Sequence, residues 1–229
     1  MAKEATPSEL TEQMFAAVGR AITQWSFVEY ELCKLLAVGI GGAVYEKTMT
    51  RPFIESWTAI WLFYAVENWR SRLQLVDGAL TAHLHQATCA DELKAEWATL
   101  SDKANDLARK RNKLAHWFVL PAQRTGTGAD YEPIAPARLC PPYGSPSYYQ
   151  ATRLTNPKKQ ALTEKQVNEL ATAFHALERK VRDFTHKVAR TQELRDRHVR
   201  LALDRLILDG RLDPPVLEAL ERALSSLEE

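Results

Sequence analysis

The sequence predicts an all-α protein: an antiparallel, up-and-down bundle of four long helices, with one or two further helices at the C-terminus and an irregular insertion after the third. Three observations carry this. Apolar residues recur at alternating three- and four-residue steps over most of the chain. Only 9 Gly and 11 Pro punctuate 229 residues, too few for the many turns of an all-β design. Most of the Pro falls in one stretch, residues 117–157.

Each element has its own signature. Pro7-Ser8 is a plausible cap, and Met14, Val18, Ala21, Trp25, Val28, Leu32 and Leu35 follow in helical rhythm, so a helix is expected over about 8–39, stopped by Gly39 and the Gly41-Gly42 pair. Pro52 suits a helix start, and Trp57, Ile60, Tyr64, Leu73, Val76 and Leu80 predict a second long helix reaching His85, with Gly78 as its weak point. Asp91 is the expected cap of a third, whose stripe is Leu93, Trp97, Leu100, Ala104, Leu107, Arg111 and Leu114. In the Pro-rich stretch, the apolar runs 117–120 and 148–154 are candidates for a small hairpin. Thr163 with Gln166 spells a capping box before the fourth helix, whose stripe runs from Val167 to Val188. A fifth helix is expected over about 192–208, and Asp213-Pro214 opens a short acidic last one. In domain terms, residues 1–211 form one helical domain, 117–157 its insertion and 212–229 an acidic terminal helix.

Composition excludes several classes of function. No apolar run of about 20 residues is present, so no membrane span is expected. The N-terminus lacks a signal-peptide core, and Cys33, Cys89 and Cys140 are odd in number and irregular in spacing, which points to a cytoplasmic protein without a disulfide framework. The net charge of +1 conceals a segregation: residues 151–211 hold 14 basic and 8 acidic groups, whereas residues 212–229 hold 1 and 5. Charge sorted in this way makes a basic face for a polyanion such as RNA, or else ordinary solvated helix faces.

One constellation carries chemistry. Arg111 stands where the third helix's rhythm calls for an apolar residue, and the segment reads Arg111-Asn112-Lys113-Leu114-Ala115-His116. Asn112 and His116, four apart, share a helix face, close enough for the amide to orient the imidazole. Arg111 and His116, five apart, converge only if the helix ends or distorts near Ala115. An imidazole can move protons at a 2'-hydroxyl or a leaving 5'-oxygen, while a guanidinium offers planar paired donors to phosphate oxygens. Lys110, Lys113 and Trp117 flank the motif as candidate RNA contacts, Trp117 as a platform for a base.

These six residues resemble the Arg-x4-6-His motif of the HEPN superfamily, in the form with Asn directly after the Arg. An Arg-x4-His spacing alone is expected by chance roughly 0.5 times in a chain of this composition; requiring the Asn lowers this to roughly 0.01. Arg179 and His186 fit the looser spacing as well. Trp25 to Glu29 looks like the first helix of bacterial members, and the likeness covers about 8–116 and 162–190. The resemblance implies a helical bundle, a homodimer in which two motif copies face one cleft, and metal-independent endoribonuclease activity without a cofactor, in a toxin or phage-defence effector with an antitoxin or sensor protein as possible partner. It assigns phosphate stabilisation to Arg111, positioning to Asn112 and proton transfer to His116. Family toxins regulated by a nucleotidyltransferase carry Tyr two residues after the His; here that residue is Phe118.

Other candidates weigh less. His83, His85 and Cys89 lack a fourth ligand and read as surface residues. His175, His186 and His198 read as solvated, as do Glu29 and Glu31, although Glu29 is a possible acceptor near the motif. Trp57, Trp61, Trp69 and Trp97 are expected in the core or at a dimer contact. No phosphate loop, nucleophile elbow or zinc pattern occurs. The rival to the ribonuclease is a non-catalytic helical adaptor or RNA-binding module, with Arg111 in a structural salt bridge and His116 capping the helix.

Overall fold

A computed structural model describes residues 5–41, 56–85, 89–124, 134–142 and 161–208, the last stretch as backbone alone from residue 192. Within these residues the protein is all-α, with five helices: α1 (Pro7–Gly39), α2 (Trp57–Ala65), α3 (Trp69–Leu84), α4 (Ala90–His116) and α5 (Glu164–Leu208). Four short strands, β1 (Phe118–Leu120), β2 (Gln123–Arg124), β3 (Ile134–Ala135) and β4 (Arg138–Cys140), lie between α4 and α5. Residues 1–185 form one compact unit, and His186–Glu229 form another, whose described part is the last stretch of α5. No helix among the described residues is long and apolar enough to cross a membrane.

The ends of the helices follow local cap chemistry. Thr6, not Pro7-Ser8, caps α1: its hydroxyl accepts the Glu9 N–H while Glu9 accepts the Thr6 N–H, and Pro7 occupies the first turn. Those hydrogen bonds, first the Thr6 backbone N–H and then its hydroxyl, hold the Glu9 carboxyl below its ordinary range. The Thr163–Gln166 box forms as expected, at 3.1 and 2.8 Å. Asp91 lies in the first turn of α4 rather than at its cap, which is Cys89.

The expected second helix is two helices. Residues 66–68 break it, because Asn68 turns its side chain to the Ser71 N–H at 2.8 Å and starts α3 afresh, while the Val66 carbonyl accepts from Arg72 Nε at 2.7 Å. Gly78 sits undisturbed inside α3. Conversely, the expected fourth and fifth helices are one, since nothing between residues 164 and 208 is a Gly or Pro that would end α5. The Pro52 start and the Asp213-Pro214 helix lie outside the described residues.

Contacts fix the helix directions. Trp25 meets Trp69, Glu29 meets Arg72 and Gly39 meets Ala79, so α1 and α3 run parallel. Arg20 meets Asn168, Trp25 meets Phe174 and Glu31 meets Arg182, so α5 also runs with α1. Helix α4 runs against both: Trp97 stacks on Phe184 near the Glu31 level, whereas Ala122, just past its C-terminal end, bonds to Thr11 near the start of α1. In a four-helix alternation the third helix would parallel the first. The extra break reverses that and brings the end of α4 to the N-terminal end of α1.

Trp25, 1% exposed, is the centre of the core, with ring centroids 4.8 Å from Trp69 and 5.1 Å from Phe174. Buried charge surrounds it. Glu29 pairs with Arg72 at 3.1 Å, and Glu31 and Glu178 both pair with Arg182, so neither Glu29 nor Glu31 is the solvated residue expected. His175, though exposed, is paired too, with Glu178 at 3.0 Å.

Two stability predictions follow from these contacts. Trp25→Ala removes the ring shared by three helices and should cost roughly 3–5 kcal/mol in urea unfolding. Burial, reinforced by the Glu29 charge and opposed by Arg72, pushes the Cys33 thiol up to about 12. A raised folded-state value gives stability that is complete below the ordinary thiol range and lost as pH rises through the folded value. The denaturation midpoint should therefore fall between about pH 9 and pH 12, less so in Cys33→Ala, and Cys33 should resist alkylation at pH 8 until the protein unfolds.

Candidate functional site

The apolar stripe of α4 is buried along its length: Leu93, Trp97, Leu100, Ala104, Leu107 and Leu114 are all under one-tenth exposed. Arg111 is its one partly exposed member. Its Nε is buried without a hydrogen-bond partner, and its Nη1 lies 3.5 Å from Asn112 Oδ1, the outer limit of a hydrogen bond. No carboxylate pairs with Arg111 among the described residues, so the structural salt bridge of the rival reading finds no partner there.

Asn112 and His116 are exposed, about 100° and 140° round the helix from Arg111. The amide oxygen of Asn112 faces Arg111, and among the described residues no hydrogen bond joins it to His116, contrary to the expected orienting role. Helix α4 stays regular through His116 and ends there; Trp117 is the C-cap, extended, its N–H donating to the Lys113 carbonyl at 2.9 Å. His116 therefore does not cap the helix. At about 100° per residue on a regular helix, Arg111 and His116 leave the helix about 140° apart, and among the described residues no hydrogen bond joins their side chains. Lys110 and Lys113 are exposed, and Lys113 Nζ sits 5.4 Å from the centre of the half-buried Trp117 ring. Arg109 is engaged by Asp106.

The segment after the motif is a hairpin, but not the expected one. β1 pairs antiparallel with β4, Phe118 opposite Cys140 and Leu120 opposite Arg138, and β2 pairs with β3, Gln123 opposite Ala135. Both pairings share one register, so they are a single ribbon interrupted where Pro121 and Pro136, each lacking an N–H, fall in the two strands. Residues 148–154 lie outside the described residues. Two clamps hold the ribbon: Leu139 and Leu162 exchange backbone bonds of 2.9 and 2.8 Å, and the Ala122 N–H donates to the Thr11 hydroxyl at 3.0 Å. This tie fixes the chain leaving His116. Thr11 carries no signal in the sequence because its partner is 111 residues away.

An open groove of about 570 Å³ between α1 and α5 is lined by Arg20, Thr23, Gln24, Asn168, Ala171, Thr172 and His175; no motif residue lines it. Among the described residues no group of three His, Cys, Asp or Glu is placed to hold a metal ion, and the His83, His85 and Cys89 side chains do not form one. Comparison of the chain with protein-family models, with curated proteins and with solved structures gave no match.

Thr11→Val keeps the shape of the side chain but leaves the Ala122 N–H without its acceptor. Unfolding stability should fall by about 1–2 kcal/mol, and amide exchange at Ala122 should accelerate by more than exchange within α3.

Proposed function

We propose that the chain is an endoribonuclease that cleaves RNA phosphodiesters without a metal, with Arg111 and His116 as its reacting groups and Asn112 assisting. One observation carries this reading: a guanidinium stands next to last in an otherwise buried apolar stripe, partly desolvated, with a buried Nε and no carboxylate partner among the described residues. A structural role does not repay that placement, whereas a phosphate would supply the missing acceptors. The resemblance of residues 111–116 to the HEPN motif points the same way, and with it to a toxin or phage-defence setting.

In the reaction, His116 takes the proton from the 2'-hydroxyl, whose oxygen forms a bond to phosphorus. The bond from phosphorus to the 5'-oxygen breaks, and a second imidazole protonates the leaving oxygen. The products are a 2',3'-cyclic phosphate and a 5'-hydroxyl. Charge building on the phosphate oxygens is met by the guanidinium fork. Because Arg111 and His116 diverge within one copy, the reading requires a homodimer in which motif helices face each other across one cleft, each copy completing the other's set. Lys110, Lys113 and Trp117 would hold the flanking backbone and a base.

The same divergence favours a second reading, an RNA-binding module without chemistry, and one experiment separates the two. In EDTA, single-turnover cleavage of RNA should fall roughly a hundredfold or more in Arg111→Lys, which keeps the charge but loses the fork. In His116→Ala it should fall about 100- to 10,000-fold. Equilibrium binding should weaken far less in both. A parallel loss of affinity and rate, or intact RNA with the wild-type chain, would leave the binding module.

A further inference from the structure

Helix α2 is apolar apart from the exposed Thr58. Its nine residues include no charged group. Ala59 and Phe63 face the core, while Trp57 and Trp61 are 69% and 72% exposed, with Leu62 and Tyr64 beside them at 45% and 46%. Helices of this kind lie in a core or against a partner. Trp57, Trp61 and Tyr64, at steps of four and three, make one outward stripe about two turns long. Its support is fixed: Arg72 lies 5.2 Å from the centre of the Phe63 ring and 5.1 Å from that of Tyr64, donates to the Val66 carbonyl and pairs with Glu29.

The chemistry of the stripe selects its occupant. RNA binding draws its affinity from Lys and Arg, and membrane-surface helices carry the same cations on their polar face; α2 offers neither. A surface without charge is matched by another without charge, and an identical copy supplies one with no mismatch. Taking about 150–250 Å² for a whole aromatic side chain, the exposed parts of these four residues amount to roughly 500 Å². A standard interface buries about 800 Å² per partner, so a modest polar rim completes it. Aromatic anchors at such a centre are also where interface energy concentrates.

We propose that α2 is a self-association surface, through which two copies of the chain pack their Trp57–Trp61–Tyr64 stripes across a two-fold axis. This contact is separate from the motif: Tyr64 lies over Arg72 at the Glu29 level and Trp97 lies near the Glu31 level, and from Trp97 to His116 α4 descends about 28 Å. The ribonuclease reading calls for a different two-fold contact, at the motif, so with both in place the chain associates beyond a dimer and Trp61→Glu removes only the α2 step.

Light scattering and sedimentation equilibrium of the full chain, from about 1 to 100 μM and without RNA, test it. The wild type should associate, and Trp61→Glu should raise the dissociation constant about a hundredfold or more with an unchanged far-ultraviolet spectrum. Phe15→Ser, at another exposed aromatic, should leave the association intact. Should Trp61→Glu lose its helical spectrum, Trp61→Cys serves instead, since with oxidised glutathione as oxidant a two-fold stripe should give an interchain disulfide absent from the wild type. A monomeric wild type at 100 μM overturns the proposal. So does association indifferent to Trp61, absence of the Trp61→Cys cross-link, or a monomer that binds phosphatidylcholine vesicles through Trp61.

Discussion

The packing of Trp25 between Trp69 and Phe174 is the constraint on which the architecture rests. One ring on α1 sets the height at which α3 begins to pack and the register of α5, and both run beside α1 in step. The ion pairs a turn or two further along, Glu29 with Arg72 and Glu31 with Arg182, repeat the same register in charge. Buried ion pairs add little net stability, because desolvation offsets the attraction; their effect is to penalise any register that leaves a carboxylate unpaired. Apolar packing thus supplies the energy, and the buried charges select the alignment.

That alignment determines where the motif emerges. With α3 parallel to α1, the next helix descends, and its last turn arrives beside the first turns of α1. There the Thr11 hydroxyl, itself bound to the Pro7 carbonyl at 2.8 Å, receives the Ala122 N–H. The ribbon that follows is closed against residue 162 just before α5. His116 therefore stands at a helix end whose outgoing strand is fastened to two other parts of the fold. On the proposed reading such fastening would help His116 act on a bound molecule, because little ordering remains to be done on binding.

Much of this was legible in the sequence where the cause is local. The α4 stripe, its end at His116 and the Thr163–Gln166 box are decided by residues three or four apart. The break at residues 66–68 was legible in part: the step from Tyr64 to Leu73 skips a turn, and Glu67 and Asn68 occupy the place where an apolar residue would continue the stripe. Burial of Glu29 and Glu31 was not legible: Arg72 and Arg182 lie 43 and 151 residues away, and the local pair of Glu31 with Lys34, at 3.1 Å, has the spacing of any solvated helix face. The pairing of residues 118–124 with 134–140 depends on a register across a long loop. Prolines that look like strand breakers prove to be interruptions of one ribbon.

Arg111 is where the local and the global readings meet. The rhythm of α4 places it inward, and the fold leaves it only half covered, with Nε shut away from water and the rest of the fork near Asn112. A guanidinium cannot shed its charge to escape that position, as a lysine or a carboxyl can. Its buried Nε–H therefore stays without an acceptor among the described residues, and whatever supplies acceptors in the plane of the fork gains the energy of meeting it. A phosphate does so with two oxygens at once. The imidazole that would act on the same phosphate leaves the helix on another face, so on the proposed ribonuclease reading the chemistry would be partitioned between copies, and control of assembly would be control of activity.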